Sequence, residues 1–279
     1  MTILIEDIHL YITLIIIIIL IIIILLYIIK YYTNLNLLKE PLNNNIKIAI
    51  CISGKIDNLQ YCYNSWKKHF LDKYPNIDIF MNVNESECYQ DDKLFIQNTI
   101  QPKDVVYEDP TITDKLFYNN FTKMFYRIYQ CNQLKINYSN KNNIKYDYVI
   151  RMRPDLVFFQ DLIIDNFNLD KLYIPTIYYD LIDIVNVFGL GITDQFFISN
   201  DNIANIVASF FTNIQKYKDS KCILAELVLV KYIKDNNIAS VKFNYLFFLH
   251  QYMNIRNMYK FFAKIQYLPN IPSCLFNIS

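Results

Sequence analysis

Glycine is scarce: the 279-residue chain holds three, at positions 54, 189 and 191. Neither a G-x-G-x-x-G fingerprint nor a G-x-x-x-x-G-K-[ST] loop is present, which argues against a dinucleotide or P-loop enzyme. Cysteine occurs six times, at 51, 62, 88, 131, 222 and 274, but never in C-x-x-C spacing, so a zinc site is not expected. Cys51, Cys131 and Cys222 fall in apolar patterns. Buried free thiols are therefore expected, with one or two disulfides open to a lumenal domain. Charge of one sign is missing as well. Twenty-seven basic against 26 acidic residues leave a formal +1, which points to no nucleic acid and no acidic surface as partner. The heavy use of Ile, Asn, Tyr, Lys and Phe is what an AT-rich genome produces, so Asn-rich stretches say little here about disorder.

What the chain does have begins with a long apolar run. From Ile8 to Ile29 only His9, Tyr11, Thr13 and Tyr27 interrupt it, and Ile15–Leu26 is unbroken Ile and Leu. At a helical rise of about 1.5 Å per residue the run covers roughly 33 Å, enough to cross a bilayer. A cleaved signal peptide fits less well, because Glu6 and Asp7 precede the run and no small-residue cleavage site follows it. The expectation is a single-pass membrane anchor over residues 1–30. Lys30, Lys39 and Lys47 follow the span and no basic residue precedes it, so the positive-inside rule favours a cytosolic domain, with the secretory-pathway lumen as the alternative. The sequons at Asn84, Asn120, Asn137 and Asn277 do not decide the side, since so Asn-rich a chain carries about that many by chance. Residues 31–45, with Pro41 and three consecutive asparagines, read as a linker. Residues 46–279 then suit one α/β domain.

Ile46–Ser53 is a continuous apolar run, as expected of a strand buried on both faces, and Gly54 ends it. A helix is predicted over Asn58–Phe70, a strand over Ile77–Val83, a short helix over Asp91–Asn98 and a strand over Asp104–Tyr107. Lys115–Tyr138 carries Phe117, Phe121, Met124, Phe125, Ile128, Cys131 and Leu134 at helical spacing, a core stripe. The next strand is Tyr146–Arg151. The order β-α-β-α-β-α-β predicts a largely parallel sheet with helices on both faces, a single Rossmann-like domain. Beyond it the pattern is less regular. Leu172–Pro175 reads as an edge strand, Tyr178–Val187 has no assignment, and a strand follows Asp194. A helix capped by Asn200 or Asp201, a helix over Lys221–Lys234 and a strand over Ala239–His250 complete the chain.

One stretch concentrates charge at a strand end. In Lys145–Phe159 the buried strand finishes in Arg151, Arg153 and Asp155, with Pro154 stopping the ladder. Period two puts Arg151 and Arg153 on one face. Ligands of open α/β sheets bind at such strand ends, although an Arg–Asp ion pair closing the sheet would look the same. Gly54, after the first strand, suits either an ordinary turn or close backbone approach to a nucleotide. Gly189 and Gly191 precede Asp194, an acid on a separate loop. Glu226 is the lone acid of an apolar helix and reads equally as solvent-facing.

The Tyr-Asp-Tyr-Val-Ile-Arg-x-Arg-Pro-Asp core over Tyr146–Asp155 resembles a group of small glycosyltransferase-like proteins from giant viruses, algae and bacteria. Weaker matches are the opening strand with Ser53-Gly54, the Asp78-Ile-Phe strand, the helix through Met124–Cys131, Asp194-Gln-Phe and the Glu226 helix. The resemblance covers roughly residues 46 to 250. It implies a GT-A-like enzyme that moves a sugar from a nucleotide-sugar to a glycan or glycoprotein acceptor. Such a site must stabilise charge on the departing diphosphate and deprotonate an acceptor hydroxyl. The resemblance implies a divalent cation, Mn²⁺ or Mg²⁺, held by Asp-x-Asp at a strand end. Here that tripeptide is Arg153-Pro-Asp155, which leaves open whether Arg153 grips the diphosphate itself while Asp155 holds a metal or a sugar hydroxyl. Gly54, Arg151, Arg153 and Asp155 are the expected donor-binding residues, Asp194 the expected general base and Glu226 its runner-up. Gly54, Asp155 and Asp194 are expected to line one cleft. The alternatives are an inactive membrane-tethered binding module of the same fold and another nucleotide-dependent transferase.

Overall fold

Every residue from Ile48 to Ser53 is at most 3 % exposed, so the first strand, β1 (Ile48–Gly54), is covered on both faces as its unbroken apolar run requires. The computed structural model in which this is seen describes residues 46–109, 111, 120–165, 167–176, 194–218, 225–244 and 247–249, together with Ile22 and Leu25. The chain divides into two units, Met1–Leu42 and Asn43–Ser279. In the first, Ile22 and Leu25 are helical, and the rest of the expected anchor and linker lies outside the described residues. Among the described residues no helix is long and apolar enough to cross a membrane.

The second unit opens as the pattern predicts. After β1 come α1 (Leu59–His69), β2 (Ile77–Asn84), α2 (Gln90–Phe95), β3 (Asp104–Glu108), α3 (Asn120–Asn142) and β4 (Tyr148–Met152). In α1 the residues Leu59, Cys62 and Trp66 make one buried stripe. The Trp66 indole donates to the Leu156 carbonyl at 2.6 Å, which satisfies a polar group that burial would otherwise strand. The chain continues through β5 (Leu156–Phe158), β6 (Leu172–Thr176), β7 (Phe196–Ser199), α4 (Asp201–Ala208), α5 (Phe210–Lys218), α6 (Ala225–Asp235), β8 (Ser240–Asn244) and β9 (Phe247–Leu249). The Asn200 side chain caps α4, accepting from the Ile203 N–H at 2.8 Å.

The main sheet has seven strands in the order β3-β2-β1-β4-β7-β6-β8. Four of its six pairings are parallel, and β7 runs antiparallel to both of its neighbours. The sheet is thus mostly parallel, as expected, with β7 the one strand reversed against its neighbours. Three expectations are corrected. Leu172–Thr176 is an interior strand. Its ladder to β7 is a single bridge at Tyr173–Ile198, so Pro175 lies beyond it and its missing N–H breaks no bond on that side. The single strand expected over 239–250 is two, because β8 joins the main sheet whereas β9 pairs antiparallel with β5 in a separate ribbon. The helix expected to stop at Tyr138 runs on to Asn142. There Asn143 takes φ +51°, and the Ile144 and Asn143 amides bond back to Ser139 and Asn140, a Schellman stop built on asparagine.

One face of the sheet is covered by α3 together with α4, α5 and α6. Ala49, Cys51, Phe80 and Val149 meet Phe125, Ile128 and Cys131 of α3, and Phe210 packs edge-on to Phe125 at 4.6 Å. Cys131 lies deep enough for its thiol to sit 3.4 Å from the carbonyls of both Ile52 and Phe80. The cysteines at 51, 62, 88 and 131 are free and buried, as the sequence led one to expect for the described ones.

Candidate functional site

Register and period two generate the site. Cys51 is paired with Phe80 on one side and Arg151 on the other. Two residues further on, the same face carries Ser53, Asn82 and Arg153, and Asn84 follows. The face is therefore apolar at Ala49, Phe80 and Val149 and turns polar toward the carboxyl ends of the strands. The chain lays β2 and β3 to one side of β1 and then crosses to place β4 on the other. Connections leaving β1 and β4 diverge at that switch, and the crevice they leave is where open α/β sheets take ligands.

A cleft of about 470 Å³ occupies this position. Ser53, Gly54 and Lys55 line it from β1, Asn84 and Ser86 from the end of β2, and Arg151 and Arg153 from β4. Helix α3 contributes Asn120, Lys123, Met124 and Arg127, and Asp194 enters just before β7. The antiparallel course of β7 is what brings Asp194 here. Met152 pairs with Phe196, and the Arg153 amide donates to the Gln195 carbonyl at 3.1 Å, so the residues preceding β7 meet the carboxyl end of β4. Gly54 adopts φ +132°, a conformation side chains rarely accept, and a Cβ there would come 3.5 Å from Pro154. Its glycine is explained by the backbone bend that turns β1 into the cleft wall.

Cations dominate the lining: Lys55, Lys123, Arg127, Arg151 and Arg153 against Asp194. Arg127 and Arg153 have carboxylate partners behind the wall. Arg127 donates from Nε to Glu108 at 3.0 Å, and Arg153 grips Asp155 with Nε at 2.9 Å and Nη2 at 2.7 Å. Arg151 differs from both. It is 2 % exposed, and its Nε and Nη1 have no hydrogen-bond partner among the described residues. Burial pulls its guanidinium down to about 10, against the pull of the nearby Asp194 carboxylate, so it is still a cation at neutral pH. The Ser53 hydroxyl beside it is fully buried and likewise has no partner. Buried donors without acceptors are costly, and a cation more so. Both facts fit a wall built to receive an anion.

Of the residues singled out from sequence, Gly54, Arg151, Arg153 and Asp194 meet in this cleft. Asp155 does not line it. Its side chain is 2 % exposed and both oxygens face Arg153, the ion-pair arrangement that the sequence left open. Glu226 falls in the first turn of α6, and its side chain lies outside the described residues, as do Gly189, Gly191 and His250. Asp78 starts β2 at the far end of the sheet, where it accepts from the Tyr146 hydroxyl at 2.8 Å, and burial pushes that phenol up. A divalent cation is poorly served by the described donors. No group of three His, Cys, Asp or Glu is gathered among the described residues, and Asp155 is already bound. Lys55, Lys123, Arg127, Asn84 and Ser86 were not anticipated. The i, i+4 pair Lys123 and Arg127 was the available signal, but it reads as the solvent face of an amphipathic helix.

No family model and no curated protein matches the sequence. Among solved structures the chain is similar to the apo-form glycosyltransferase GlyE of Streptococcus pneumoniae TIGR4, at 13 % identity and a TM-score of 0.42. The similarity covers 81 % of this chain and 52 % of that one, so the chain spans about half the length of that protein.

Proposed function

We propose that the protein is a membrane-anchored glycosyltransferase that moves a sugar from a nucleotide-sugar to a glycan or glycoprotein hydroxyl. The observation that carries this reading is the cleft at the switch between β1 and β4, where among the described residues five cations accompany one carboxylate and Arg151 is buried with unpartnered donors. A diphosphate-linked donor matches that charge, and a cleft of about 470 Å³ is of the size small-molecule sites take. The residue types also match the two demands of the chemistry. The acceptor oxygen attacks the anomeric carbon, the bond from that carbon to the diphosphate oxygen breaks, and its electron pair stays on the diphosphate. Arg151 and Arg153 meet that growing negative charge with fixed guanidinium groups. The acceptor proton passes to the carboxylate of Asp194. Asp155 holds Arg153 in place through its two hydrogen bonds and takes no part in proton transfer. The apolar run over residues 8–29 supports the anchor.

The test is turnover. The full-length chain in detergent is incubated with a panel of UDP- and GDP-sugars, with and without Mn²⁺, and release of the nucleoside diphosphate is followed. Release from at least one donor, lost in Asp194→Asn, is expected. If no nucleotide-sugar binds or turns over in either condition, the reading is wrong.

A further inference from the structure

We infer that this cleft holds its diphosphate without a divalent cation, and that Arg151 is the anchor that replaces one. The inference rests on the nucleotide-sugar reading and goes beyond it. Three observations carry it. The acid best placed in sequence to bind a metal, Asp155, is 1 % exposed and has both oxygens engaged by Arg153. Turning either oxygen to a metal would break a bidentate, charge-assisted ion pair. Second, Asp194 is the one carboxylate among the described residues that line the cleft, and the Arg151 guanidinium lines it too. A divalent cation on Asp194 would stand beside a fixed guanidinium charge and be repelled by it. Third, Arg151 presents buried N–H donors with no acceptor among the described residues, and the Ser53 hydroxyl, also unpartnered among them, lines the same cleft. An incoming diphosphate offers acceptors to both groups and adds to the compensation that Asp194 gives the buried cation.

The consequence is a binding site whose affinity for a diphosphate is set by protein charge. Isothermal titration of the full-length chain in detergent with inorganic pyrophosphate, UDP and GDP tests it, first in EDTA and then in Mn²⁺. At least one probe is expected to bind in EDTA within about threefold of its affinity in Mn²⁺, since no ligand bond is lost with the metal. Arg151→Met is expected to weaken that binding more than about tenfold, the loss of a charge-assisted hydrogen bond. Arg151→Lys keeps the charge without the fork and should recover part of it. Thermal unfolding of each variant separates lost binding from lost folding. Binding that requires Mn²⁺ overturns the inference and leaves the glycosyltransferase reading standing. No binding in either condition overturns both. Binding in EDTA that is indifferent to Arg151→Met and to Arg151→Lys removes Arg151 from its assigned role.

Discussion

Asn143 and Asn237 each hold a left-handed backbone just past a helix, at φ +51° and +57°. Both close the same motif: the Ile144 and Ile238 amides bond back to Ser139 and Ile233, five residues earlier. Glycine is the usual occupant of that position, and asparagine is the next choice because its short polar side chain tolerates the conformation. A chain with three glycines fills these stops with asparagine. Replacing either residue by Ala should cost about 1 kcal/mol, and replacing it by Gly should be neutral or stabilising. Denaturant midpoints for the two pairs of variants check the sign. The two acids near the cleft are separable at the same scale. Asp194→Asn should lower turnover by about 10²- to 10⁴-fold while donor binding persists, as expected of a lost general base. Asp155→Asn should act through Arg153 instead, weakening donor binding by about tenfold, because the neutral amide no longer holds the guanidinium with charge-assisted bonds. Titration calorimetry alongside initial rates distinguishes the two patterns.

Helix α3 bears on both the core and the cleft. Phe125, Ile128 and Cys131 pack on β1 and β2, and Lys123 and Arg127, from the same first turns of the helix, line the cleft. Its position against α4 is fixed by charge. Lys135 is fully buried, paired with Asp201, and donates to the Asn205 side chain at 2.8 Å. Removing one partner of a buried pair costs more than removing both, because the remaining charge is stranded. Asp201→Ala should therefore destabilise by about 3 kcal/mol, and adding Lys135→Met should restore much of that loss. A double-mutant cycle in urea measures it, and equal losses in the single and double variants would show that the pair does not fix this contact. Because α3 carries cleft residues as well, donor affinity in Asp201→Ala should fall with stability.

For the whole molecule, the proposed anchor has a direct consequence. Cells expressing the full chain should retain it in the membrane pellet after alkaline carbonate extraction, and a version lacking residues 1–30 should be released. Protease protection of the sealed vesicles reports which side the domain occupies, and the three lysines after the span favour the cytosol. The extent to which the sequence disclosed the fold also differs by region. β1, β2 and β4 were legible as short, largely buried runs between polar breaks, and the more exposed β3 by its Val-Val-Tyr run. The helix between β3 and β4 was legible because its apolar residues recur with a helical period. The second half was less so. A single strand over 239–250 could not be told from two, since the strand-forming residues run on through both pieces and their pairing partners lie about 70 and about 90 residues away in β6 and β5.

By itself the sequence determined the strand end at Arg151-Met-Arg-Pro-Asp155 and the face its arginines share, because side chains alternate along any strand. It also ended β1 at Gly54, and the structure supplied the reason for a glycine there, a φ of +132° that few other residues accept. The sequence left Asp155 undecided between a ligand and a partner for Arg153. Tertiary structure decided that, by burying Asp155 against the guanidinium. It decided the place of Asp194 as well. The residues Phe196–Ser199 form a buried strand whichever way they run, because local hydrophobicity carries no direction. Run parallel, β7 would put Asp194 at the opposite end of the sheet from the arginines. Run antiparallel, with Met152 against Phe196, it sets the carboxylate at the mouth of β4, in the cleft with Arg151.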